Sequence, residues 1–343
     1  MSWTKPMPAH PVVAVAGATG AVGREMLLVL EQRGFAASQV KALASAKSAG
    51  STLPFKGGEL VVEEMRPESF SDVDIALFSA GGSVSEEFKD AVLAAGAVMI
   101  DNSSAFRMTD GVPLVVPEVN PQAIRQHSGL IANPNCSTIQ MVVALNALRA
   151  VAPLKRVVVS TYQAASGGGL NAMNELDLQS RQYLGGEEPT VKFFAHRLAF
   201  NCIPQIDVFL DDRSTKEEWK MVVETKKIMS EPDLAVCANC VRVPVVRSHA
   251  EMVNVEFAAD FSLDDVFLTL AAADGIVLMD DPATQTYPMP GLLAGTDKVY
   301  VGRVRRDDSL PWAINFWCVA DQLRKGAALN AVQIAELLLP ERG

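Results

Sequence analysis

The run Val12-Val13-Ala14-Val15-Ala16, followed by Gly17-Ala18-Thr19-Gly20-Ala21-Val22-Gly23 and an amphipathic stretch ending near Arg33, constrains the fold more than any other part of the chain. It reads as a buried strand, a glycine turn and a helix. Such a turn lets backbone approach a pyrophosphate, which then rests on the free N–H groups and positive dipole end of the helix. The spacing is GxxGxxG, a variant of the usual dinucleotide fingerprint, and glycine spacing alone is a weak signal. Its place after a buried strand favours dinucleotide binding over a merely tight turn, with Gly17, Thr19, Gly20, Ala21, Val22 and Gly23 forming the cradle.

Strand-like runs then alternate with helical ones: Gln39 to Ala44, Ile75 to Ser79, a helical stretch to Ala95, and Val98 to Asp101. This is the pattern of an α/β doubly wound sheet. After Gln39–Ala44 comes Ser45-Ala46-Lys47-Ser48, where an NAD site would often carry a carboxylate for the ribose. Hydroxyls and a lysine suit a 2′-phosphate instead, so Ser45, Lys47 and Ser48 point to NADP, with a solvated polar loop as the competing reading. Loops at strand ends line the ligand crevice of such sheets, which makes Gly81 and the Asn102–Arg107 stretch candidates for cofactor and anion contacts.

At 343 residues the chain is too long for one compact core and suits two domains. A net charge of -10 argues against sequence-independent binding to nucleic acid or anionic membrane. No apolar run reaches transmembrane length, and the first ten residues lack the basic start and apolar middle of a secretory signal, so a cytoplasmic protein is expected. Five scattered cysteines do not resemble a disulfide framework. Cys237 and Cys240 have CxxC spacing, but no second pair exists and the four histidines are dispersed, so strand cysteines are expected there and no metal site.

Asn133-Pro134-Asn135-Cys136-Ser137-Thr138 sets a cysteine between the strand-like Leu130-Ile131-Ala132 and a helical run, Ile139 to Leu148. Cys136 would face the positive end of the helix dipole, where a thiol becomes a better nucleophile at neutral pH. A lone cysteine is more often buried and inert, so the rest of the chain must supply its partners.

Beyond Val151 the texture changes to longer strands, which suggests an α+β catalytic domain at 133–314 after a nucleotide-binding domain at 1–132. The segment 315–343, with helical spacing from Asn315 to Ala327, is expected to pack back on the first domain. Val157 to Gln163 reads as a strand running into Ala164-Ala165-Ser166-Gly167-Gly168-Gly169, a loop where backbone can approach a flat ring or anion. Ser214 and Glu217 stand at capping-box spacing on a helix reaching Met229, and Lys220 could pair with Glu217 along it, so both residues have structural explanations. Val241 to His249 reads as an edge or bulged strand. In it, Arg242 could grip a carboxylate bidentately, and His249 could exchange protons with Cys136 if the two meet.

Taken in order, the glycine turn, Ser103-Ser104-Ala105-Phe106-Arg107, the Cys136 motif, Gln163 before the glycine cluster, and Arg242 with His249 resemble the bacterial form of the aspartate-semialdehyde dehydrogenase family over essentially the full length. The resemblance implies a Rossmann-like nucleotide-binding domain with an α+β catalytic and dimerisation domain. The implied reaction is NADPH-dependent reductive dephosphorylation of L-aspartyl 4-phosphate to L-aspartate 4-semialdehyde, on the route to lysine, methionine and threonine. Cys136 matches the nucleophile, His249 the acid/base, Gln163 a residue orienting the acyl group, and Arg242 the carboxylate-binding arginine. Arg107 and Lys220 match the phosphate-binding cations with Asn102 nearby, and Glu217 the carboxylate near the substrate ammonium, in competition with Glu218. Ser166, Gly167, Gly168 and Asn315 complete the expected cofactor set. The resemblance also implies a homodimer or a tetramer of dimers. N-acetylglutamyl-phosphate reductase and glyceraldehyde-phosphate dehydrogenase are disfavoured by the residues around Cys136. A noncatalytic NADP-binding scaffold is disfavoured because every catalytic residue type is present.

Overall fold

The computed structural model describes residues 5–340. The chain divides into two compact units, Met1–Asn135 with Ala327–Gly343, and Cys136–Gly326. In the first, β1 (Val12–Ala16), β2 (Gln39–Ala44), β3 (Thr52–Phe55), β4 (Gly58–Glu64), β5 (Ile75–Phe78), β6 (Val98–Asp101) and β7 (Leu130–Ala132) form a sheet in the order β3-β4-β2-β1-β5-β6-β7. β3 and β4 make an antiparallel hairpin. The other neighbours run parallel, and β5 and β6 are buried along their whole length, as strands covered on both faces must be.

Helix α1 (Ala21–Gln32) follows β1 and α2 (Gly82–Ala94) follows β5. β1 lies between β2 and β5, so the loops leaving β1 and β5 open at the point where the strand order reverses. The glycines there are demanded by packing. Gly17 has φ +82, and a Cβ on it would sit 2.4 Å from the Ser79 carbonyl oxygen; one on Gly23 would sit 2.2 Å from the Gly17 oxygen. Turn and helix can therefore close on the strand only without side chains at these two positions.

The second unit is built on β8 (Leu154–Gln163), β9 (Ala235–Arg242), β10 (His249–Phe257), β11 (Ile276–Leu278), β12 (Val299–Arg306) and β13 (Ala313–Ala320), ordered β11-β12-β13-β10-β8-β9. Helix α3 (Cys136–Leu148) packs on this sheet and is buried on nearly every side, which explains why its sequence is apolar all round. The unit also contains α4 (Gly169–Leu184), α5 (Lys216–Met229), α6 (Leu263–Ala272) and the single turn α7 (Pro290–Leu293). α3 packs against α5 and α6 as well.

Helix α8 (Leu329–Leu338) belongs to the first unit, where Leu329, Val332 and Ile334 share a core with Val13, Leu27 and Leu30. Arg33 clamps Glu336 bidentately at 2.7 and 2.6 Å, and Asn330 donates to the Asn133 side-chain oxygen at 2.7 Å. Three expectations need correction. The stretch Asn315–Ala320 is strand, not helix: Phe316, Cys318 and Val319 pair with β10, and tertiary pairing overrides the short helical spacing. The run from Val241 to His249 is not one strand; β9 ends at Arg242 and β10 begins at His249, with Pro244 in the connection. The glycine cluster is a single 3-10 turn, Ala165–Gly168, leading directly into α4.

Gly23→Ala is expected to cost about 1–3 kcal/mol, because the turn carbonyl opposing the new methyl is backbone and cannot rotate away. Denaturant unfolding of the variant beside wild type measures this, and an unchanged midpoint would contradict it.

Candidate active site

Cys136 is the first residue of α3 and is half-buried. A thiolate there faces the positive end of the α3 dipole. The other cysteines are poor rivals: burial pushes the Cys240 and Cys318 thiols up, and Cys202 and Cys237 lie on the surface. A π-helical turn, Arg324–Ala328, brings Gly326 so close that a Cβ on it would lie 2.8 Å from the Cys136 Cβ.

Strand ends of the same unit gather the polar groups. The parallel β8–β9 register sets Gln163 beside Arg242, and the antiparallel β8–β10 register sets Tyr162 beside Ala250, so His249 enters next to the end of β8. The Ala164 amide donates to His249 Nδ1 at 3.0 Å, and Arg242 Nη1 donates to the Ala164 carbonyl at 2.6 Å. Gly167 faces both: a Cβ on it would stand 2.8 Å from Arg242 Nη1 and 3.1 Å from His249 Nε2. Gln163, Arg242 and His249 are all buried.

Burial, reinforced by the neighbouring Arg242, lowers the His249 pKa well below the ordinary value of 6.5, so the ring is neutral near pH 7. Because Nδ1 accepts the Ala164 amide proton, the neutral ring carries its hydrogen on Nε2. The side chain is thereby set as a hydrogen-bond donor rather than as a base. Burial also lowers the Arg242 pKa, and the nearby Glu217 and Cys136 work in the opposite direction, which puts the thiol within the electrostatic reach of this guanidinium.

From Gln163 a hydrogen-bond chain runs outward. Thr161 Oγ1 donates to Gln163 Oε1 at 2.9 Å, Gln163 Nε2 donates to Glu217 Oε1 at 3.1 Å, and Lys220 Nζ donates to Glu217 Oε2 at 3.2 Å and to Asp207 Oδ2 at 2.7 Å. Burial works against the Lys220 charge, but Glu217 and Asp207 outweigh it and hold its pKa above the usual value. The cap of α5 is Thr215, not Ser214: Glu218 accepts the Thr215 amide at 2.7 Å, and Glu218 also takes the Cys240 amide at 3.0 Å. The capping role therefore falls to Glu218, one position on, and Glu217 turns inward to Gln163.

In the first unit, Arg107 donates to the carbonyls of Asn102 and Asn133 at 2.7 and 3.0 Å, and Asn102 Nδ2 donates to the Phe78 carbonyl at 2.9 Å. Ser45 and Lys47 are exposed after β2, in a turn closed by the Ser48 amide on the Ser45 carbonyl at 2.9 Å. No side chain caps α1 at Gly20, and Gly81, with φ +93, occupies the same position for α2. Both helix starts thus present backbone N–H groups at the end of β1 or β5, which fits the phosphates of a dinucleotide.

Asn315 does not join the Cys136 cluster. Its amide oxygen accepts from Asn254 at 3.0 Å, five residues along β10 from His249, which is about 17 Å at strand rise. Cys237 and Cys240 lie on opposite faces of β9, one exposed and one buried, as an odd spacing in a strand requires.

Residues 12–127 match the family described as semialdehyde dehydrogenase, NAD binding domain, and residues 145–325 match semialdehyde dehydrogenase, dimerisation domain. An aspartate-semialdehyde dehydrogenase of Prochlorococcus marinus is 49% identical over 340 residues, covering 99% of each chain. The chain belongs to the aspartate-semialdehyde dehydrogenase family. A solved structure of that family's member II from Vibrio cholerae, complexed with ASA, is 46% identical with a TM-score of 0.95, covering 98% of this chain and all of that one. A family member from Candida albicans, solved with NADP, is 26% identical with a TM-score of 0.74, covering 96% of this chain and 98% of that one. Two α/β units, a nicotinamide-dinucleotide domain and a dimerisation domain, are the architecture of the family.

Sequence reasoning missed three residues of the family's second unit. Gln322 hydrogen-bonds Ser166 and accepts the Ser248 amide at 2.8 Å, tying the glycine turn to the start of β10. Gly326 gives Cys136 room. Glu251, fully buried on β10 and paired in register with Thr161 and Cys318, has its carboxyl held well above the usual range by burial, with Gln140 partly offsetting this. None carries a motif in the sequence. Above the ordinary value of 4.5 the folded state holds a proton on Glu251 that the unfolded chain has released, so this group's contribution falls as pH rises toward the folded value. Glu251→Gln is expected to flatten that slope and to unfold at higher denaturant than wild type at a pH of about 8. A variant with the wild-type slope would contradict a buried acid here.

Proposed function

We propose that this chain catalyses NADPH-dependent reductive dephosphorylation of L-aspartyl 4-phosphate to L-aspartate 4-semialdehyde through a thioester on Cys136, supplying lysine, methionine and threonine synthesis in the cytoplasm. The observation that carries the reading is the buried Ala164–His249–Arg242 cluster around Gly167, built in the same unit as a cysteine at a helix start.

Cys136 sulfur bonds to the acyl carbon, the carbon–oxygen bond to phosphate breaks, and phosphate leaves with its electron pair. Arg107 and Lys220, with Asn102, are assigned to the phosphate, Arg242 to the substrate carboxylate, and Glu217 to its ammonium group. Gln163, held between Thr161 and Glu217, orients the acyl group. When bound, NADPH supplies the hydride that the acyl carbon accepts. The Nε2–H of neutral His249 then meets the developing oxyanion, which is where a donor of this tautomer is useful. Carbon–sulfur cleavage releases the aldehyde and restores the Cys136 thiolate. The glycine turn, Gly81, the Ser45–Ser48 turn and Ser166 to Gly168 are assigned to the dinucleotide; Asn315, engaged with Asn254, is left out.

A homodimer is proposed, supported by the matched dimerisation domain and by exposed apolar side chains such as Leu170, Leu178 and Leu184 in the second unit.

Purified protein is expected to reduce NADP+ in the presence of aspartate semialdehyde and phosphate, and no phosphate-dependent turnover under reducing conditions would overturn the reading. Cys136→Ala should lose about 10⁴-fold or more in kcat while binding NADP+ as wild type does. Lys47→Glu is expected to shift the kcat/KM ratio toward NADH by about tenfold, through loss of the cation facing the 2′-phosphate. An unchanged ratio would return Lys47 to the solvated loop.

A further inference from the structure

Helix α4 carries a row of carboxylate and amide side chains that the proposed chemistry does not use. Glu175, Gln179 and Gln182 are spaced by four and three residues and so share one face. Against that face runs the stretch 190–199, which forms no helix or strand and whose backbone N–H groups must find partners elsewhere. Glu175 Oε2 accepts the amides of Lys192 and Phe193 at 3.0 and 2.5 Å, and its Oε1 accepts the Phe194 amide at 3.2 Å and Gln179 Nε2 at 3.1 Å. Gln179 Oε1 accepts the amides of Leu198 and Ala199 at 2.8 and 3.1 Å, and its Nε2 also reaches the Thr190 carbonyl at 3.0 Å. Gln182 completes the row, accepting the Thr190 amide at 2.8 Å. Glu175 and Gln179 are both buried.

What is pinned has a use. Phe193, Phe194 and Ala195 form one wall of a cavity of about 270 Å³, and Arg242 and Asp207 belong to the rest of its lining. The Phe193 ring lies on Gly168 so tightly that a Cβ there would stand 2.7 Å from the ring edge. Part of the lining is therefore made by a segment with no regular structure, in a cavity that also contains the arginine assigned to the substrate carboxylate. A carboxylate accepting three consecutive backbone amides is a costly arrangement to maintain unless the position of those residues matters, because each charge-assisted bond fixes an atom that a solvated loop would leave free.

We infer that Glu175, Gln179 and Gln182 are positioning residues for the substrate cavity, holding the 190–199 segment so that Phe193, Phe194 and Ala195 line it, and so setting the KM for the acidic substrate without touching it. The inference rests on the proposed function, since Arg242 must be the substrate-binding arginine.

The test is Glu175→Gln in the full-length protein, assayed as NADP+ reduction with aspartate semialdehyde varied at saturating phosphate. One acceptor then becomes a donor facing backbone N–H groups. The KM for aspartate semialdehyde is expected to rise about tenfold, while kcat and the KM for NADP+ stay within about twofold. Amide hydrogen exchange over 190–199 should quicken in the same variant. A fall in kcat at unchanged KM, the mark of a merely structural loss, overturns the inference, as does unchanged exchange over 190–199. If Glu175→Gln does not fold, Gln182→Ala at the outer end of the tether decides: it should raise the same KM about threefold, and an unchanged KM overturns the inference. Absence of wild-type turnover overturns the proposed function instead, and is read independently of the exchange measurement.

Discussion

The hydrogen bond from the Ala164 amide to His249 Nδ1 is the constraint on which the chemistry proposed for the second unit depends. It joins the end of β8 to the start of β10, fixes the imidazole tautomer, and leaves the Ala164 carbonyl to accept Arg242 from β9. The backbone of one residue therefore orients an imidazole and a guanidinium from two different strands. Both are buried, so neither adapts by moving into water; the cost of enclosing them is met by backbone partners and by the neutral state of the ring. Gly167 belongs to the same arrangement, because a side chain there would strike both groups.

The tautomer also sharpens the proposed chemistry. A histidine whose Nδ1 accepts a backbone amide is poorly placed to hold two protons, and a neighbouring guanidinium makes the charged ring costlier still. In the proposed reaction it donates from Nε2 to oxygen on the acyl carbon, while the start of α3 favours an anionic sulfur at Cys136. The proposed proton donor and nucleophile are thus supported by separate means, a strand-end hydrogen bond and a helix terminus.

Much of this was legible in the sequence. The β1 run and its glycines announced the parallel sheet, because fully buried strands and close turns leave few residue choices. Cys136 was legible through its address between a strand and a helix. Other features were hidden because they depend on register: Gln163, Arg242 and His249 meet only when three strands from distant stretches pair in the observed alignment. The helical spacing of Asn315 to Ala320 misled because β10 supplied a pairing edge, which local periodicity cannot report. The capping box slipped by one residue because Ser214 and Thr215 both suit an N-cap, and only the three-dimensional turn selects Thr215, sending Glu217 inward. Gln322 and Gly326 follow no motif; their roles come from where the chain passes after β13.

The central claim is that Cys136 carries the acyl group before reduction. Intact-mass and peptide mass spectrometry of the protein mixed with L-aspartyl 4-phosphate, without a reduced dinucleotide, tests it most directly. The account predicts one aspartyl adduct per chain, located on the peptide containing Cys136 and discharged when NADPH is added. An adduct on a different residue, or none while phosphate-dependent turnover persists, would contradict it.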